Sequence, residues 1–211
     1  MKKRIVIVDD HASIRDMLVW ILMHEADYEV IGQAGSGIEA MRVCLACRPD
    51  LLILDLLLPC ISGTEVLRRV RKELPSTRVL IYSGTCSLAL VGEALRQRPH
   101  GFIEKLDGLV NLRKAIATLA TGGCYFSGAA SQLSCECGRA GISQDTDLSP
   151  REREVLQMIA EGRSSKQISG LLSVALKTVE NHRANLMAKL HMHDVASLTR
   201  YAAGRGMVAL E

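Results

Sequence analysis

Over its first 120 or so residues this chain alternates short apolar runs with amphipathic stretches, and that rhythm limits the fold more than any other feature. The runs are RIVIV at 4–8, YEVIG at 28–32, LLIL at 51–54, RVLIYS at 78–83 and GFIE at 101–104. Each has the length of a strand and is bounded by turn-forming or helical sequence. After the first run, Ile14, Met17, Leu18, Ile21 and Leu22 fall at helical spacing. Helical stretches over 38–47, 64–74, 88–96 and 109–119 follow the others, the second of them stopped by Pro75. A strand covered on both faces reads as an unbroken apolar run, which is how LLIL reads. The pattern predicts an α/β domain over residues 1–121, with a doubly wound, five-stranded parallel sheet between two layers of helices.

The rhythm then stops. Residues 122–147 contain TGG, SGAAS, CGRAG and SQDTD, a Gly- and Ser-rich stretch with little periodicity that reads as a linker. A second, all-helical domain is expected over 148–211, with helices near 150–161, 164–172, 176–190 and 194–203. Its start is sharply marked. Ser149 suits the N-cap, Pro150 the first helical turn, and Glu152 completes a capping box.

Composition narrows the classes. The chain has 48% hydrophobic and 23% charged residues and a net charge of +3, the profile of a globular protein whose basic patches must be local. The head MKKRIVIVDD is basic, but its apolar segment is far shorter than a signal peptide requires. No run approaches a membrane span, so a cytoplasmic location without membrane partners is expected. Seven cysteines, an odd count, point to reduced thiols. Cys44 and Cys47 form C-x-x-C inside a helical pattern, without a second pair to complete a metal site. Cys124, Cys135 and Cys137 read as thiols of the linker.

In LLILDLLLP a carboxylate, Asp55, interrupts the leucines, and burying it alone would cost several kcal/mol. In open parallel sheets ligands bind beyond the carboxyl ends of the strands. Asp9 and Asp10 follow the first strand, Asp55 is the exposed end of the third, Ser83 ends the fourth and Lys105 follows the fifth. Three crowded carboxylates favour a hard divalent cation such as Mg2+, and a carboxylate beside that cation can attack a phosphoryl group. Lys105 and the metal would neutralise charge, the Ser83 hydroxyl would bond a phosphoryl oxygen, and Gly84 would leave the approach open.

These residues resemble the CheY-like receiver domain of two-component response regulators, a flavodoxin-like fold. The match rests on Asp9, Asp10, Asp55, the DLLLP context with Pro59 and Gly63, Ser83 and Lys105. The resemblance implies phosphorylation of Asp55 by a sensor histidine kinase. It also implies a Mg2+ site made of Asp9, acting mostly through water, Asp10, Asp55 and the backbone carbonyl of Leu57. Phe102 matches the family's switch aromatic, often Tyr; here it lacks the hydroxyl.

The second domain holds SSKQISGLLSVALKTVENHRANLMAKL, a short helix, a turn at 173–175 and a longer helix. That is a helix-turn-helix pattern, with Val179, Leu186 and Leu190 inward and Lys177, Thr178, Asn181, His182, Arg183 and Asn185 on the polar side. It resembles the LuxR-type helix-turn-helix at the end of NarL/FixJ-family response regulators. By that likeness Lys177, Thr178, Val179, Asn181, His182 and Arg183 lie at or near DNA. Ala175 stands where a capping Ser or Thr is usual, and Glu180 where Lys is common.

The whole implies a transcription factor controlled by phosphorylation, binding promoter DNA as a homodimer on half-sites about one helical turn apart. An aspartyl phosphatase would want a second carboxylate at Leu57, which argues against an enzyme. A receiver that acts without phosphorylation is the third reading. Quenching of Trp20 by Mg2+ is the expected cheap discriminator.

Overall fold

In the computed structural model the described residues are 2–84, 87–137, 148–192, 194–205 and 207–208. Cys86, the side chains of Cys135 and Cys137, and the SQDTD stretch lie outside them. The strands are β1 (Lys3–Val8), β2 (Tyr28–Ala34), β3 (Leu51–Leu54), β4 (Arg78–Ser83) and β5 (Gly101–Glu104). Between and after them run α1 (Ala12–Met23), α2 (Gly37–Cys47), α3 (Gly63–Glu73), α4 (Leu88–Arg96) and α5 (Gly108–Ala120). All pairings are parallel, and the sheet order starts β2-β1-β3-β4-β5. The order reverses between β1 and β3, the place where such sheets open a crevice at their carboxyl edge.

The unbroken apolar runs are explained by two cores. Successive side chains of a strand point to opposite faces. Val6, Val8, Leu52, Leu54, Val79, Ile81 and Phe102 join Ala40, Cys44, Val66, Leu67 and Leu90 of α2, α3 and α4. Ile5, Ile7, Leu51, Ile53, Leu80 and Ile103 join Leu18 and Leu22 of α1 and Leu112, Ile116 and Leu119 of α5. Each buried Leu or Ile contributes about 1.5–3 kcal/mol, so neither face tolerates a polar residue within a run.

The expected linker is partly folded onto this domain. Tyr125–Phe126 form a sixth strand, β6, pairing in parallel with β5 so that Phe102 faces Phe126. Gly128–Cys137 form α6, which lies against α4, with Ala130 and Leu133 in the same cluster as Phe102. A two-residue strand between glycines leaves no periodicity to read.

The helical domain follows as α7 (Pro150–Ala160), α8 (Ser165–Leu172), α9 (Leu176–Leu190) and α10 (Val195–Gly204). The capping box of Ser149 and Glu152 and the proline at the first turn are present as expected. Ser164 and Gln167 build a second capping box at α8, whereas Ala175 caps α9 with no side-chain hydrogen bond. Helix α7 meets the first domain. Gln157 Nε2 donates to the Leu58 carbonyl at 2.6 Å, Cys60 N donates to Glu161 Oε1 at 2.9 Å, and Arg69 pairs with Glu154.

The β3–α3 loop is held by close backbone packing at Gly63. A Cβ there would lie 2.0 Å from the Asp55 carbonyl oxygen and 2.6 Å from Leu56 Cα. Backbone atoms cannot swing away as a flexible side chain can. Gly63→Ala should therefore destabilise the protein by about 1–3 kcal/mol, seen as a lower urea midpoint at unchanged slope.

Candidate functional site

At the carboxyl edge of the sheet the predicted residues meet. Asp55, at the end of β3, is buried, only 3% exposed, rather than forming an exposed strand end. The reason is Lys105, which lies over it: Nζ is 2.5 Å from Asp55 Oδ2 and 2.6 Å from Asp9 Oδ2. Asp55 Oδ1 accepts from Ser83 Oγ at 2.7 Å and from Leu57 N at 3.2 Å. Both oxygens are thus satisfied, which is what permits a buried carboxylate. Asp10 stands slightly apart, its Oδ1 2.6 Å from His11 Nδ1. Arg15 Nη1 donates to the Asp9 carbonyl at 2.8 Å and steadies the β1–α1 turn. His11 and Arg15 were not singled out by the sequence; His11, next to two aspartates, carried a signal that spacing alone could have shown.

The electrostatics fit a cation site. Burial pushes the Asp9 carboxyl above its ordinary value; the hydrogen bond from Lys105 opposes this and the charge of Asp55 adds to it. Burial alone would lower the Lys105 ammonium, but its hydrogen bonds to Asp55 and Asp9 win and hold it above an ordinary lysine. Asp9, Asp10 and His11 bring ligand atoms within 4.8 Å of one another. With Asp55 this is a hard, oxygen-rich donor set already balanced by one ammonium, suited to a small divalent cation.

Phe102 is fully buried between Ile81 and Phe126, in register with both. Trp20 is poorly placed as a reporter. It sits eight residues into α1, about 12 Å along the axis from the helix start, and packs on His24. Cys44, Cys47, Cys60 and Cys124 are in no disulfide, and burial pushes the Cys44 thiol up to about 12.

On α9 one of the residues expected at or near DNA does not face solvent. Val179 is wholly buried in the helical-domain core with Leu186, Val155 and Ile168, because it lies on the helix face opposite Lys177 and Asn181. Thr178, His182 and Arg183 are half-buried on the flanks, and Arg183 donates to Ser165 Oγ at 3.2 Å. The outward stripe is Lys177, Glu180, Asn181, Ala184 and Ala188, with Asn185 beside it. Lys177 Nζ is 3.7 Å from Glu180 Oε2 across that exposed face. Ala184 is exposed in the same stripe, where helical spacing from Lys177 and Asn181 puts it, and was not among the residues singled out from the sequence.

A receiver-type pocket joined to a helix-turn-helix defines a class, and comparison with known proteins places the chain in it. The family model of the response regulator receiver domain matches residues 5–117. That of the bacterial regulatory proteins of the luxR family matches 146–202. The chain is 33% identical over 208 residues to the transcriptional regulatory protein MctR of Rhizobium johnstonii, covering 99% of this chain and 96% of MctR. It is 34% identical over 210 residues to the transcriptional activator protein ExaE of Pseudomonas putida, covering 98% of each. Among solved structures, the RcsB response regulator of Salmonella typhimurium shares the fold at a TM-score of 0.64 and 22% identity, covering 98% of each chain. A structure of two RcsB dimers bound to two parallel DNAs matches at 0.60 and 22% identity, covering 97% of this chain and 99% of that one. The chain belongs to the NarL/FixJ family of two-component response regulators. It is a regulator with a receiver and a LuxR-type DNA-binding domain, and among its described residues no helix is long and apolar enough to cross a membrane.

The raised Asp9 carboxyl gives a signed expectation. An acid held above its unfolded value costs nothing while protonated, and the cost grows as pH rises through the raised value. At pH 7 in EDTA, Asp9→Asn should melt a few degrees higher than wild type, since each kcal/mol recovered moves the midpoint by about 2–4 °C. The gap should close below about pH 4, and added Mg2+ should stabilise the variant less than wild type.

Proposed function

We propose that Asp55 is the phosphoryl acceptor of this response regulator. On this reading residues 1–121 are the receiver, 122–147 the linker and 148–211 the DNA-binding domain. The observation that carries it is the single ammonium of Lys105 bridging Asp9 and Asp55 while Ser83 holds the other Asp55 oxygen. A phosphoryl group arriving on Asp55 would meet both donors already in place, so little reorganisation is needed.

An Asp55 oxygen forms a P–O bond as the donor's bond to a sensor histidine kinase's histidine breaks. Lys105, now paired to the carboxylates, re-pairs with a phosphoryl oxygen, and Ser83 turns its hydroxyl to another. Mg2+, when bound by Asp9, Asp10, Asp55 and the Leu57 carbonyl, supplies charge neutralisation at the transferring group. The receiver catalyses at most its own phosphoryl uptake and slow loss. The added charge, about −2, moves Ser83 and Lys105 together with the packing around Phe102. The readout is promoter DNA, gripped in the cytoplasm by a homodimer through Lys177, Thr178, Asn181, His182 and Arg183, with Val179 supporting α9 from below.

Acetyl phosphate with Mg2+ should label the full chain, and Asp55→Ala should remove the label; a persistent label would take Asp55 out of this role. In gel shifts, Lys177→Ala should weaken binding about equally on all sequences and reduce the salt slope by about 1. An unchanged slope would count against α9 as the DNA-facing helix.

A further inference from the structure

The start of the folded linker is tied to the turn that carries Lys105. That turn, a 3-10 segment over Lys105–Asp107, is closed by its own capping box, in which Glu104 N donates to Asp107 Oδ2 at 3.0 Å. The same Asp107 oxygen accepts the Ser127 hydroxyl. Ser127 N in turn donates to the Phe102 carbonyl at 3.0 Å. The next residue, Gly128, has φ +53 and sits so close to the Glu104 carboxylate that a Cβ would lie 2.2 Å from it. Beyond it, Ala130 and Leu133 pack into the cluster that holds Phe102. One carboxylate oxygen therefore pins both the turn of Lys105 and the first residue before α6.

We infer that Asp107 and Ser127 form a latch between the phosphoryl pocket and the linker, so that loading Asp55 and freeing residues 125–133 are one coupled equilibrium. The inference rests on the reading of Asp55 and Lys105 given above. Lys105 lies between Glu104 and Asp107, and its ammonium is held down on Asp55 and Asp9. When it re-pairs with a phosphoryl oxygen, the short turn moves with it, and Asp107 Oδ2 can no longer keep both donors at bonding distance. The Ser127 hydroxyl is the one that can leave, because the Glu104 amide belongs to the turn itself. Release of α6 lengthens the tether to the helical domain. Coupling of this kind is reciprocal, so opening the latch from the linker side must alter how the pocket holds its phosphoryl group. Asp107 and Ser127 act through Lys105 and are positioning residues.

The test uses the full chain with Mg2+ and beryllofluoride as the pocket probe, read by amide hydrogen exchange over 125–133. In wild type, loading should speed exchange there about five- to tenfold, the size expected for one lost hydrogen bond plus local opening. Ser127→Ala should exchange fast whether loaded or not, and Ser127→Thr should restore the wild-type response. The affinity of the pocket for beryllofluoride with Mg2+ should change in Ser127→Ala and return with Thr, which a merely structural hydroxyl would not produce. Two results overturn the latch: label on Asp55 with no exchange change in wild type, or an unaltered beryllofluoride affinity in Ser127→Ala. Absence of label in wild type removes the acceptor reading itself and the latch with it.

Discussion

A lysine ammonium shared between two buried carboxylates is the contact on which this receiver's arrangement depends. Asp9 and Asp55 come from different strands, β1 and β3, and Lys105 from the end of β5. Without the cation, two carboxylates that are 1% and 3% exposed would face each other across a site with little solvent. Their repulsion and desolvation would act against the sheet edge itself. With it, three loops are drawn to one point, and Ser83 and the Leu57 amide complete the coordination of Asp55. The pocket is thus stable because its charges are balanced, and that balance is made by one long side chain.

That pocket is wired into the chain on two sides. Toward the helical domain, the loop after Asp55 offers the Leu58 carbonyl and the Cys60 amide to Gln157 and Glu161. Cys60 holds a positive φ of 71 to present that amide, a conformation that non-glycine residues adopt only when their surroundings fix it. Toward the linker, the turn after β5 is shared with Ser127. The residues nearest the chemistry are therefore also those that touch the rest of the molecule.

Much of this was legible in the sequence because burial on both faces of a sheet leaves a plain mark. The runs at 51–54, 78–83 and 101–104 coincide with β3, β4 and β5, and the polar residues that end them converge as their positions implied. What was not legible depended on side-chain geometry. Asp55 read as an exposed strand end, since nothing in LLILDLLLP shows that a lysine fifty residues on will cover it. Val179 followed a family segment into the DNA contacts, although the helical period that placed it inward is the stronger signal. The sixth strand escaped notice because two residues cannot show a period of two.

Helix α7 holds the receiver while the outward stripe of α9 faces solvent, so the two tasks of the helical domain are lodged on different helices. They share a core, through Val155, Ile159, Val179 and Leu186, and Lys189 of α9 pairs with Glu152 of α7. Among the described residues, though, the side chains that meet the receiver are not those of the outward stripe. Substitutions confined to two surfaces whose own side chains do not touch contribute nearly additively, so such surfaces can drift apart under selection. If α9 reads bases as proposed, a lineage can rewrite which bases it prefers while its α7 keeps the same seat on the receiver.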